Sequence, residues 1–260
     1  MLVKSTNEEM TIPYHKKVIS NFNSIINHIS PGLVKANPML SGGAAISLLY
    51  APSKPYGDLD FYFRSQEDFN LAFSILRENT NSTYETENAV TIVTTTNTIV
   101  QLIRKFYLPP EELILEHDFL NVAIAITPTE IYTTKKTMFA WYENVLDLNK
   151  IQLKDSPTCH EKLSFILNFI PRIHKYLERY HLQVSQKLKQ SLYEFINFLN
   201  ENASQIDGMQ IKIADYYAEY RLVESLKARD VVLDIQNLFT LNNFDNLQGS
   251  SNTQDENLLF

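Results

Sequence analysis

Residues 41–63 constrain the fold more than any other stretch of this 260-residue chain. Ser41-Gly42-Gly43 is a turn of small residues that opens an apolar helical run from Ala44 to Tyr50. A connection rich in Pro and Gly follows, and then Asp58 and Asp60 stand at the start of an aromatic strand spanning residues 58–64. Side chains i and i+2 of a strand project to one face. The two carboxylates therefore point one way, and Leu59, Phe61 and Phe63 the other. Like charges held that close repel unless a cation lies between them. Mg²⁺ fits that place, because it takes carboxylates together with substrate phosphate oxygens. Gly-Gly alone is a turn and Asp-x-Asp alone is a solvated strand edge; their order, with an apolar helix between, is what points to chemistry.

A third carboxylate is expected further along. Glu116-His117-Asp118 leads into Phe119–Ile126, a run of β-branched and small apolar residues that predicts a strand. Asp118 stands where that strand would begin. Glu116 has the same parity and is the rival, while His117 is read as a solvated neighbour.

This arrangement resembles the DNA polymerase beta-like nucleotidyltransferase superfamily, including its stand-alone viral, phage and toxin-like members. The resemblance covers residues 38–126 and implies an α+β fold, a mixed-sheet core followed by a helical C-terminal domain. It implies that Ser41, Gly42 and Gly43 hold the β- and γ-phosphates of an NTP such as ATP, and that Asp58, Asp60 and Asp118 bind two Mg²⁺ or Mn²⁺ ions. The implied activity is template-independent transfer of an NMP to a hydroxyl acceptor with release of pyrophosphate. tRNA or another RNA is the expected acceptor, ahead of a protein or a small molecule. The alternative is a non-catalytic binding or assembly module on the same fold. Residues 52–55 form an inserted loop that lengthens the gap between Gly43 and Asp58 beyond the family pattern. The physics agrees with the family rule: glycines admit a close approach of phosphate, and a helix start favours anions.

Arg172, Lys175 and Arg179 share one helix face. The segment is similar to an Arg/Lys-x-x-Lys-Tyr stretch of template-independent nucleotidyltransferases, which implies NTP contacts for Arg172 and Lys175. Arg104 and Lys105 are further cationic candidates.

Three segments are expected: a core over 1–128 with an N-terminal helix over 14–36, a helical domain over 129–241, and a polar, disordered tail over 242–260. In the helical part, apolar spacing predicts helices over 130–143, 160–180, 184–200 and 211–230, with Pro171 kinking or dividing the second. A hydrophobic content of 44%, with 15 Phe and 14 Tyr, supplies a substantial core. The single cysteine, Cys159, excludes an internal disulfide framework and a cysteine zinc site. No apolar run is long enough to span a bilayer and the start lacks signal-peptide character, so a cytoplasmic protein is expected, in the host cytoplasm if viral. A net charge of −7 argues against unspecific nucleic-acid binding over the whole surface.

Overall fold

The structure is a computed structural model that describes residues 2–5, 13–150, 158–211 and 223–241. It divides into two compact units, one of residues 1–154 and 175–188, the other of residues 155–174 and 189–260.

The first unit opens with β1 (Leu2–Ser5) and α1 (Pro13–Ile29). Val18, Phe22, Ile26 and Ile29 fall on one stripe of α1 and are all buried. Pro31 ends the helix, and Pro31–Ala36 form a 3₁₀ turn into β2 (Met39–Ser41). Next come α2 (Gly42–Leu49), β3 (Leu59–Phe63) and α3 (Gln66–Arg77). Ser65 caps α3, its hydroxyl oxygen accepting the Asp68 N–H at 3.1 Å. Then follow β4 (Thr80–Glu85), β5 (Ala89–Thr94), β6 (Ile99–Tyr107) and the short α4 (Pro110–Leu113). The unit continues through β7 (Ile124–Ile126), β8 (Ile131–Thr134), α5 (Lys135–Tyr142) and β9 (Val145–Leu146).

Eight strands make one sheet in the order β1-β8-β7-β2-β3-β6-β5-β4. Only β3 and β6 run parallel within it, so the sheet is mixed. Leu59, Phe61 and Phe63 are buried as the alternation predicts, and Phe61 meets Phe22 of α1 with ring centroids 6.1 Å apart. The opposite face around Tyr62 is covered by Leu113, Ile114 and Tyr132. Both faces of β3 are therefore packed, and its Asp-bearing end is held in the centre of the sheet.

The remaining elements are α6 (Cys159–Tyr180), β10 (Gln183–Val184), α7 (Gln186–Glu201), α8 (Ala203–Ile206), β11 (Met209–Ile211), β12 (Val223–Leu226) and α9 (Ala228–Leu241). β10 pairs in parallel with β9 in the first unit, and β11 pairs with β12 in the second. The second unit has its own aromatic core, where Phe169 and Phe195 pack edge to face at 5.9 Å.

The α+β class holds, with a helix-rich C-terminal part, but several elements differ from the sequence pattern. Phe119–Val122 are not strand: Leu120–Val122 form a 3₁₀ turn. The cause is Asn121, buried with its amide donating to Val145 O at 2.8 Å and accepting Asp147 N–H at 3.2 Å. Those bonds satisfy the backbone locally in place of a ladder. The helix expected over 130–143 starts only at Lys135, because Ile131–Thr134 are strong strand formers that extend the sheet past residue 128. Pro171 does not divide α6, which runs through it with Phe169, Ile170 and Ile173 buried on either side. Of the helix expected over 211–230, the described residues Ile211 and Val223–Leu226 are strand, and Ala228 begins α9. Residues 212–222 and the tail over 242–260 lie outside the described residues. Among the described residues no helix is long and apolar enough to cross a membrane.

Candidate active site

Sheet register assembles the site. Ser41 of β2 lies opposite Asp60 of β3, and Asp60 lies opposite Gln101 of β6. Partners in a ladder share a face, so the three side chains form a row across the middle of the sheet. Asp58, just before β3, joins them: the Gln101 amide donates to its Oδ2 at 2.9 Å. Gln101 was not a sequence candidate, since a lone polar residue on an apolar strand gives no signal until the register is known.

Asp60 is the unusual group. It is 8% exposed, and its Oδ1 has no hydrogen-bond partner. Burial and the neighbouring Asp58 carboxylate push its pKa up to about 7, against a smaller opposing pull from Lys175. A buried, unpaired carboxylate oxygen beside a second carboxylate is an oxygen donor set that fits a hard divalent cation.

Gly42 makes room for that carboxylate. Its φ is +69°, and a Cβ there would lie 2.4 Å from Asp60 Oδ2. Gly43 is different, since a Cβ would meet only Arg179 Nη1 at 3.7 Å and the Tyr180 hydroxyl at 4.0 Å. The start of α2 thus faces Arg179 and Tyr180 near the end of α6. Arg179 also donates to the Pro55 carbonyl, and Lys54 Nζ donates to His181 Nε2 at 3.2 Å. The loop over residues 52–55 is so tied to the C-terminal end of α6. The Tyr180 hydroxyl is buried beside Ser47, and burial raises its pKa.

The Ser41 hydroxyl, expected at the phosphates, is engaged elsewhere. It is fully buried and donates to Ile124 O at 2.7 Å, so its contact with His117 Nε2 at 2.8 Å must be one in which the imidazole N–H donates. His117 is thus a tether of the turn and not a solvated neighbour. Glu116, the rival third carboxylate, is paired with Lys150 at 2.8 Å. Asp118 has its backbone carbonyl bound by the Asn149 N–H at 2.8 Å, in the bend before Leu120–Val122. Among the described residues no group of three or more His, Cys, Asp or Glu is placed to hold a metal ion. Asp58 and Asp60 come together; Asp118 does not complete a triad with them. Lys175 reaches Asp60 electrostatically, whereas Arg172 belongs to the other compact unit. Arg104 clamps the β4–β5 turn by bonding the Glu87 carbonyl at 3.0 Å, and so serves the sheet edge.

Asp60 also sets a pH dependence. Its folded pKa of about 7 exceeds the ordinary 3.8, so the folded state holds more protons between those values. Stability therefore falls as pH rises through that window and levels off above it, by about 4 kcal/mol in total. Urea unfolding in EDTA at pH 5 and pH 8 should show the part of this loss that lies above pH 5, about 2.7 kcal/mol, in the wild type, and Asp60→Asn should remove most of it. Equal pH dependence in both proteins would contradict the assignment.

The family model described as the Gabija anti-defense 2 family matches residues 14–142, which hold α1 to α5 and every candidate carboxylate. No curated protein matches the chain. Among solved structures, the chain is similar to a Thermotoga maritima CCA-adding enzyme complexed with tRNA, at 13% identity and a TM-score of 0.50, covering 88% of this chain and 53% of that one. A CCA-adding enzyme in complex with CTP is similar at 13% identity and a TM-score of 0.50, over 73% of this chain and 48% of that one. The chain spans about half the length of these structures. The fold is nucleotidyltransferase-like.

Proposed function

We propose that the chain is a metal-dependent, template-independent nucleotidyltransferase that moves an NMP from an NTP to a hydroxyl acceptor and releases pyrophosphate. The observation that carries this reading is the buried Asp60, with one oxygen unpartnered, next to Asp58 and against the glycine start of α2. Asp58 and Asp60 would hold Mg²⁺ or Mn²⁺, which when bound supplies the charge that polarises the phosphates and acidifies the acceptor hydroxyl. Gly42 and Gly43 present the first N–H groups of α2 to the triphosphate, since these lack acceptors within the helix. Arg179 and Lys175 add positive charge on the side of the site facing α6, and Arg179 offers bidentate donors to a phosphate. His117 and Ser41 fix the turn that carries the glycines. Asp118 is the proposed third carboxylate, next in sequence to His117, which bonds Ser41 opposite Asp60. The fold likeness to enzymes crystallised with CTP and with tRNA supports an NTP donor and an RNA acceptor. The match to a family described as Gabija anti-defense supports a role in countering a Gabija defence.

A second reading has one observation in its favour. Two carboxylates without a third, as the described residues stand, suit a module that binds a nucleotide and metal without turning it over. Thermal unfolding with Mn²⁺ and each NTP tests what the two readings share. Saturating ligand at about 100 times its Kd should stabilise the protein by about 2.7 kcal/mol. The double variant Asp58→Asn, Asp60→Asn should lose the shift. Gly43→Val should lose the NTP-dependent part with an unchanged far-UV spectrum, because its branched side chain would fill the space before Arg179. A shift that survives in the double variant would sink the metal assignment.

A further inference from the structure

Among the described large hydrophobic side chains the two most exposed lie one turn apart on α5: Tyr142 is 81% exposed and Phe139 63%. Lys135 and Lys136 sit one turn before Phe139 and are exposed as well. Residues three and four apart on a helix are neighbours on its surface, so the outer face of α5 reads lysine, lysine, phenylalanine, tyrosine.

This face is rigidly mounted. Thr134 caps α5, accepting the Thr137 N–H at 3.0 Å, and Thr137 and Ala140 are buried. The Trp141 indole donates to the Asn121 carbonyl at 3.0 Å and its ring stacks on Tyr50 at 5.2 Å. On the same ring the edge contact with Tyr180 is 5.5 Å, and the Tyr180 hydroxyl lies by Gly43 at the start of α2. Trp141 of α5 and Tyr180 therefore tie the helix that carries the exposed face to the start of α2. Taking rings of this size out of water is favourable, roughly in proportion to the apolar area covered. Two rings left in water on a fixed helix, beside two cations, suit a ligand with both flat apolar groups and negative charge.

We propose that this face of α5 holds the single-stranded end of an acceptor RNA, its bases on Phe139 and Tyr142 and its phosphates at Lys135 and Lys136. The proposal rests on the nucleotidyl-transfer reading, because it supplies the acceptor of that reaction. A single strand offers unpaired base faces together with phosphates, the two chemistries that the rings and the lysines suit. A duplex hides its base faces and does not fit. Glu143, exposed at the far end of α5, repels phosphate there, so the phosphates are favoured at the Lys135–Lys136 end.

Fluorescence anisotropy with a labelled single-stranded RNA, and with the same sequence as a duplex, tests the idea without any nucleotide turnover. The wild type should prefer the single strand. The double variant Phe139→Ala, Tyr142→Ala should weaken single-strand binding at least about tenfold, since each stacked base contributes ~1–3 kcal/mol. Lys135→Ala with Lys136→Ala should reduce the salt slope of binding by about 1.4, two phosphates' worth for a single strand. All variants should keep the Mn²⁺·NTP thermal shift, because none touches the nucleotide site; loss of that shift in the wild type would instead count against the nucleotidyl-transfer reading. Equal RNA affinity in the wild type and the aromatic variant would overturn the surface assignment. So would an aromatic variant that loses a stoichiometric protein partner while RNA binding is unchanged.

Discussion

Asp60→Asn should reduce nucleotidyl transfer by a factor of about 10³ or more, and in the same variant the metal-free protein should gain stability above pH 7. Both effects come from one charge. Ionised, Asp60 is a buried anion next to Asp58, which costs stability while no cation is present. Bound to a divalent ion, the same charge anchors the group that stabilises the transition state by several kcal/mol. Asparagine keeps the shape and removes the charge, so stability and activity should move in opposite directions. Steady-state transfer rates and urea unfolding at pH 8 read the two arms. A variant that lost activity together with stability would show Asp60 to be a packing residue.

Gly42→Ala should destabilise the protein by about 3 kcal/mol or more through two separable effects. A non-glycine residue in the left-handed region adds about 1–2 kcal/mol. The new Cβ would also stand 2.4 Å from Asp60 Oδ2 and force the carboxylate out of its place. In an Asp60→Ala background only the backbone part remains, so a double-mutant cycle by chemical denaturation should reveal strong coupling. Additive effects would mean that Gly42 serves the turn alone and not the carboxylate.

The central sheet and the Asp58–Asp60 pair were legible because their signal is local. A two-residue period on an aromatic strand and a Gly-Gly turn before an apolar helix depend on few distant contacts. What the sequence pattern missed depends on tertiary partners. Phe119–Val122 has the composition of a strand, but the buried Asn121 bonds across to residues 145 and 147 and turns the chain. Ile131–Thr134 could satisfy a helical spacing or a strand, and pairing with β7 and β1 decided for strand. Gln101 and His117 act through register and through Ser41, and neither carries a motif. The Arg172 and Lys175 face was visible by helical spacing, yet only Lys175 falls in the unit that holds the carboxylates. Tyr180 is buried, and its hydroxyl stands beside Gly43, a contact that no local pattern announces.

The most direct measurement supplies NTP labelled either at the α- or at the γ-phosphate, with Mn²⁺ and total RNA, and follows both labels. The account predicts that the α-label becomes bound to RNA while the γ-label leaves as pyrophosphate, and that Asp58→Asn and Asp60→Asn each abolish the transfer. A γ-label that ends on the acceptor, or α-label transfer unchanged in both variants, would contradict it.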